Sequence, residues 1–114
     1  MGKPSRDKGK RGEREAAAEL NRLFPDCNAY RSQQFSGANH DADIKCNIDG
    51  LHFEVKRQER MQLYKWMEQA ENDKRYSEIP VVLTRQNNKP WLLAIQLDDL
   101  PNLIDAINEY RSNS

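Results

Sequence analysis

Asp49-Gly50, set between two runs of alternating polarity, constrains this chain more than any other feature. A two-residue type I′ turn demands positive φ at both central residues, which makes Asp-Gly a strong hairpin signal. With those two residues as the whole turn, Ile48 pairs with Leu51, Cys46 with Phe53, Lys45 with Glu54, Ile44 with Val55 and Asp43 with Lys56. Opposed residues share a face and neighbours alternate. One face then carries Ile44, Cys46, Ile48, Leu51, Phe53 and Val55, and the other Asp43, Lys45, Asn47, His52, Glu54 and Lys56. A one-residue slip would scramble this separation, so the pattern supports the register.

On the polar face Asp43 is expected directly across from Lys56 and diagonally from Glu54, with Cβ separations of roughly 5 to 8 Å. Two carboxylates so placed can share a divalent cation. The bland alternative is a solvated strand face with an ordinary Glu–Lys pairing, and the upstream Asp in register is what argues against it.

At 114 residues the chain suits one small domain with a single core. Lys plus Arg equals Asp plus Glu at 18 each, so net charge favours neither nucleic acid nor membrane. The distribution says more. Residues 1–12 hold Lys3, Arg6, Lys8, Lys10 and Arg11 against Asp7 alone, whereas residues 98–111 hold Asp98, Asp99, Asp105 and Glu109 against Arg111. No apolar run approaches the ~20 residues of a membrane-crossing helix, and the N-terminus lacks the apolar stretch of a signal peptide. A soluble intracellular (cytoplasmic) protein is expected. Cys27 and Cys46 form no Cys-x-x-Cys pair and read as reduced thiols, with no disulfide or zinc site.

Residues 1–7 read as a flexible basic arm and 8–114 as one domain. A helix is expected from Lys8 or Gly9 to Phe24, stopped by Pro25. Ala16, Ala17, Leu20 and Phe24 lie three, four, seven and eleven residues after Glu13, which places that carboxylate in line with the buried stripe and Gly12 beside it. The alternative for Glu13 is a first-turn acid that stabilises the helix dipole. Glu15 falls on a more solvated stripe.

Cys27 to Gln34 should be a short strand, followed by a polar loop that holds Ser36, His40 and Asp41. His40 is a weak candidate base or ligand, since a lone loop histidine is more often plain polar surface.

Beyond the hairpin, Gln58 to about Tyr76 reads as a helix with Leu63, Trp66, Met67 and Ala70 as its apolar stripe and Gln69 on a flank. Arg57 and Arg60, close to Lys56, are candidates for phosphate contact, as is Arg85. Pro80–Thr84 and Trp91–Leu97 form a second hairpin through Asn87-Asn88-Lys89-Pro90, with Trp91 as packing. A last helix after Asp98-Asp99 carries Leu100, Leu103, Ile104, Ile107 and Tyr110. The expected order is αβββαββα: an α/β fold with a mixed five-stranded sheet flanked by helices.

Glu13, Asp43 and Glu54-Val55-Lys56 in this order of elements resemble the PD-(D/E)xK nuclease superfamily, the restriction-endonuclease-like fold. The run Lys8-Gly9-Lys10-Arg11-Gly12-Glu13-Arg14-Glu15, then Arg31-Ser32, Ser36-Gly37, Ala42-Asp43-Ile44 and Phe53-Glu54-Val55-Lys56, is similar to the archaeal-type Holliday junction resolvases and their small phage-borne relatives. Ala42 stands where that family's first motif has Pro.

The resemblance implies Asp43 and Glu54 as metal ligands, with the Val55 carbonyl and Glu13 completing the shell, Lys56 as catalytic lysine, and Gln69 as a helix-borne site residue. Ser32 or Ser36 would assist, and Lys8, Lys10, Arg11 and Arg31 join the arginines above as DNA contacts. It implies Mg²⁺, replaceable by Mn²⁺, a homodimer, branched four-way DNA as partner, and a bacterial or phage-infected cell. Alternatives are a nicking, repair or restriction-like nuclease of the same fold, a DNA-binding module without activity, and a small structural or inhibitory protein.

Overall fold

The computed structural model describes residues 2–33 and 41–113, with side chains from residue 9 onward. Ser36, His40 and the Lys8 side chain lie outside the described residues.

The first helix, α1, spans Gly2–Leu23. It therefore begins in the segment expected as a flexible arm, and Pro4 is tolerated there because first-turn N–H groups have no intrahelical acceptor. Its last bond is Phe24 N–H to the Leu20 carbonyl at 2.7 Å, before Pro25 ends the ladder.

Five strands follow, β1 (Tyr30–Arg31), β2 (Ile44–Lys45), β3 (Leu51–Lys56), β4 (Ile79–Thr84) and β5 (Leu92–Ala94), and they lie in that spatial order. Only β3 and β4 are parallel, with Glu54 beside Val82 and Lys56 beside Thr84. A parallel pair needs a crossover, and the helix α2 (Leu63–Asp73) supplies it. The remaining pairs are antiparallel, so the sheet is mixed as expected. A 3₁₀ turn at Leu97–Asp99 leads into α3 (Leu100–Asn113).

One face of the sheet is covered by α1 and α3. Ala16, Ala17 and Leu20 meet Ile44, Phe53, Val55, Val81 and Leu83, while Leu103, Ala106 and Tyr110 close the same layer. Phe24 and Tyr110 stack edge to face at 6.0 Å. Trp91 packs against this core, in keeping with the packing role expected for it. On the opposite face α2 sets Trp66, Met67 and Ala70 against Val82. With both faces covered, every residue of β4 is buried, which is why Ile79–Thr84 reads as a continuous apolar run.

Several local expectations are corrected. The hairpin pairs Ile44 with Phe53, two residues away from the Asp-Gly register. Gly50 has φ +86°, but Asp49 is not among the positive-φ residues, so no type I′ turn forms. Residues 46–50 leave the ladder instead. Asn47 N–H goes to the Cys27 carbonyl at 2.7 Å and Ile48 enters the core. A shift of two preserves faces, so the apolar and polar sets are unchanged.

The second helix starts at Leu63 rather than Gln58, because Glu59 accepts from the Gln86 side chain and the Asn87 N–H and ties the segment to the β4–β5 turn. Leu63 is half-exposed, outside the buried stripe. In α3 the line packed against the core runs through the partly buried Leu103, Ala106 and Tyr110, which turns Leu100 and Ile104 outward. The final strand is shorter than Trp91–Leu97, its end taken by the 3₁₀ turn.

Candidate active site

The buried polar and charged residues among those described are Ser32, Asp43, His52, Glu54 and Thr84. Buried polar side chains that gather in one place are more informative than any exposed set. These gather around the β2–β3 pair and the end of β3.

Asp43 immediately precedes β2 and is pinned to β3 at two points. Its N–H donates to the Phe53 carbonyl at 2.8 Å, and its Oδ2 accepts the Val55 N–H at 2.8 Å. Continuing the register from Ile44–Phe53 brings Asp43 alongside Glu54, not across from Lys56 as the two-residue turn required. In an extended strand the N–H and C=O of one residue point to the same neighbour, so the Val55 carbonyl opens on the Asp43 side as well. Asp43's own carbonyl accepts the Ser32 N–H at 2.9 Å, which ties β1 to the site.

Glu54 lies on the α2 side of β3. Its Oε2 accepts from Gln69 Nε2 at 3.1 Å and has Lys56 Nζ at 3.9 Å. Its Oε1 faces His52 Nε2 at 3.6 Å. The end of β3 is fixed beyond it, since Thr84 Oγ1 donates to the Lys56 carbonyl at 2.7 Å.

Glu13 reaches the site from α1 as an ion pair with Arg31 at 2.9 Å. Burial pushes its carboxyl above the ordinary glutamate value. Arg31 pulls it back by charge and contact, and the Glu54 charge pushes it up again, which places the two acids in one electrostatic neighbourhood. Gly12, its neighbour, lets Arg57 come close: a Cβ at Gly12 would stand 2.8 Å from the Arg57 Cβ.

Besides Arg31, two more arginines expected at phosphate are engaged within the protein. Arg57 lies 3.7 Å from both Glu15 and Glu59 and donates to the Arg85 carbonyl at 3.3 Å. Arg85 bonds Glu15 at 3.1 Å and the Lys89 carbonyl at 2.6 Å. Glu15, expected on a solvated stripe, is the hub of this clamp between α1 and the ends of β3 and β4. Arg11 and Arg60 are exposed and Lys10 half-buried, so these remain open to a ligand. Sequence reasoning placed His52 on the polar face but gave it no role, and it missed Glu78, whose Oε1 lies 3.7 Å from His52 Nδ1. The available signal was the spacing of His52, two residues before Glu54 on one face.

Both cysteines are free thiols. Burial pushes Cys46 up to about 11 and Cys27 upward as well, so neither is a reactive thiolate at neutral pH.

Among the described residues no group of three or more His, Cys, Asp or Glu side chains could hold a metal ion. A magnesium site does not need three, because it takes one or two carboxylates and keeps its waters. Asp43, Glu54 and the Val55 carbonyl are hard oxygen donors of that kind. No helix among the described residues is long and apolar enough to cross a membrane.

A mixed five-stranded sheet flanked by three helices, with Asp43 on one hairpin arm and Glu54-Val55-Lys56 on the other, is the restriction-endonuclease-like fold of the PD-(D/E)xK superfamily. The family model described as "phage putative PDDEXK endonuclease" matches residues 4–114, and the chain belongs to that family. Neither the curated proteins nor the solved structures gave a match.

Proposed function

We propose that this protein is a Mg²⁺-dependent, structure-selective DNA endonuclease that hydrolyses phosphodiester bonds, with the four-way Holliday junction as its substrate and a homodimer as its working form. The observation that carries the chemistry is the placement of Asp43, Glu54 and Lys56 at one end of the β2–β3 pair, each anchored by the contacts above. Junction preference is supported by the likeness of the Lys8–Glu15, Arg31-Ser32 and Asp43-Ile44 segments to junction resolvases, and the dimer by the need for two symmetric cuts.

Asp43, Glu54 and the Val55 carbonyl would hold the magnesium ion, with Glu13 beside them. When bound, the ion supplies charge neutralisation at the phosphate and a more acidic water. Lys56 stands at the same end of β3, where its ammonium can orient the attacking water or offset charge that grows on the phosphate. Gln69 keeps Glu54 turned toward Lys56. Manganese, with similar oxygen preference, would substitute. Arg11, Arg60 and Lys10 would meet the phosphate backbone.

The test is a substrate panel of labelled four-way junction, linear duplex, single strand and splayed fork, each with Mg²⁺, Mn²⁺ or EDTA. Paired symmetric nicks on the junction, lost in EDTA and in Glu54→Ala, are expected. Cutting spread evenly over the panel would overturn junction preference while keeping a nuclease. Binding without cutting would overturn the enzyme.

A further inference from the structure

His52 is fully buried on the α2 side of β3, and neither ring nitrogen has a hydrogen-bond partner among the described residues. Buried polar atoms are rarely left so in native proteins. Each nitrogen nonetheless faces a carboxylate, Nε2 at 3.6 Å from Glu54 Oε1 and Nδ1 at 3.7 Å from Glu78 Oε1. Both separations lie just beyond a hydrogen bond, and site contacts of this kind tighten when ligand binds.

A neutral imidazole has one N–H to give. The two carboxylates differ in their need for it. Glu54's side chain is 7% exposed against 23% for Glu78, and Glu78 Oε1 already accepts the Arg75 N–H at 2.8 Å. The drier carboxylate gains more from a donor.

We propose that His52 is a positioning residue for Glu54: it carries its proton on Nε2, donates to Oε1, and thereby turns Oε2 toward Gln69, Lys56 and the cation. Each Glu54 oxygen then has its own task, Oε1 for anchorage and Oε2 for the reaction. The proposal rests on the reading of Glu54 as a site acid.

The chain has two histidines, so ¹⁵N spectra of the imidazole nitrogens are readable, with His40→Gln assigning the signals. In metal-free protein, at a pH where the His52 ring shows a single protonated nitrogen, that nitrogen should be Nε2 and its signal should shift in Glu54→Gln. A proton resident on Nδ1, or no response to Glu54→Gln, overturns the proposal.

Calorimetry with Mn²⁺ gives a second readout. His52→Gln keeps an amide N–H near the Nε2 position and should bind within about threefold of the parent, whereas His52→Leu should lose about tenfold or more. Equal affinity in the two variants would make His52 plain packing and overturn the proposal. If either variant fails to fold, the spectra decide. If the parent neither binds Mn²⁺ nor cuts DNA, the nuclease reading fails and the spectra still decide the proton's place.

Discussion

Glu54 shows how much one side chain depends on its surroundings in this protein. Taken from water and set beside Glu13 in the same electrostatic neighbourhood, it is held by Gln69 and Lys56 on one oxygen and faced by His52 on the other. Glu13 bears the cost most visibly. Its folded-state pKa is raised, so the folded protein binds more protons than the unfolded chain between the ordinary and the raised value, and stability falls as pH rises through that window. Glu13→Gln is therefore expected to raise Tm at neutral pH, with the gain shrinking as pH falls from the raised value toward the ordinary glutamate value and absent below it. Thermal denaturation across pH checks this, and a Tm lowered at neutral pH would show that the Arg31 pair outweighs burial. Glu13 was legible from its place on the helical stripe. His52 was not, because spacing puts it on the right face but cannot show that α2 seals that face from water.

At the scale of elements, the hairpin and the first helix set the site's geometry. The alternation of Ile44 to Lys56 gave the faces correctly because side-chain parity survives a shift of two residues. It could not give the pairing. The pull of Asn47 toward Cys27 and of Ile48 into the core comes from contacts distant in sequence. That shift brings Asp43 alongside Glu54, a tighter pairing of acids than the diagonal expected. Arg57 and Arg85 illustrate the same limit, since a count of cations near Lys56 cannot reveal that Glu15 engages both. Gly12 is the contact on which the α1–β3 junction turns. Gly12→Ala should gain up to about 1 kcal/mol of helix propensity and lose about 1–3 kcal/mol to crowding against a Cβ fixed to backbone. A net loss of stability is expected by denaturant unfolding, with an unchanged m-value. A stabilised variant would show that α1 can shift without strain.

For the whole molecule, the layers explain why so small a chain can keep acids dry. Helices α1 and α3 cover one face of the sheet and α2 the other, so the polar side of β3 is interior over most of its length and opens only near Lys56. Charge is balanced overall but polarised. Asp49, Glu71, Glu78, Asp99, Asp105 and Glu109, with Lys74 among them, line a groove at the end of the sheet where β4 begins, while the charge of Lys10 acts on Glu13. If Asp43 and Glu54 together hold the cation proposed above, phosphodiester cleavage depends on both carboxylates and on the divalent ion. The most direct test is the cleavage rate of a labelled junction as Mg²⁺ is titrated, for the parent, Asp43→Asn and Glu54→Gln at matched folded fraction. A saturable rise is expected for the parent and a loss of at least about a hundredfold in both variants, on the order of a missing group that stabilises the transition state. Cleavage that persists in both variants, or that ignores Mg²⁺ in the parent, would contradict that dependence.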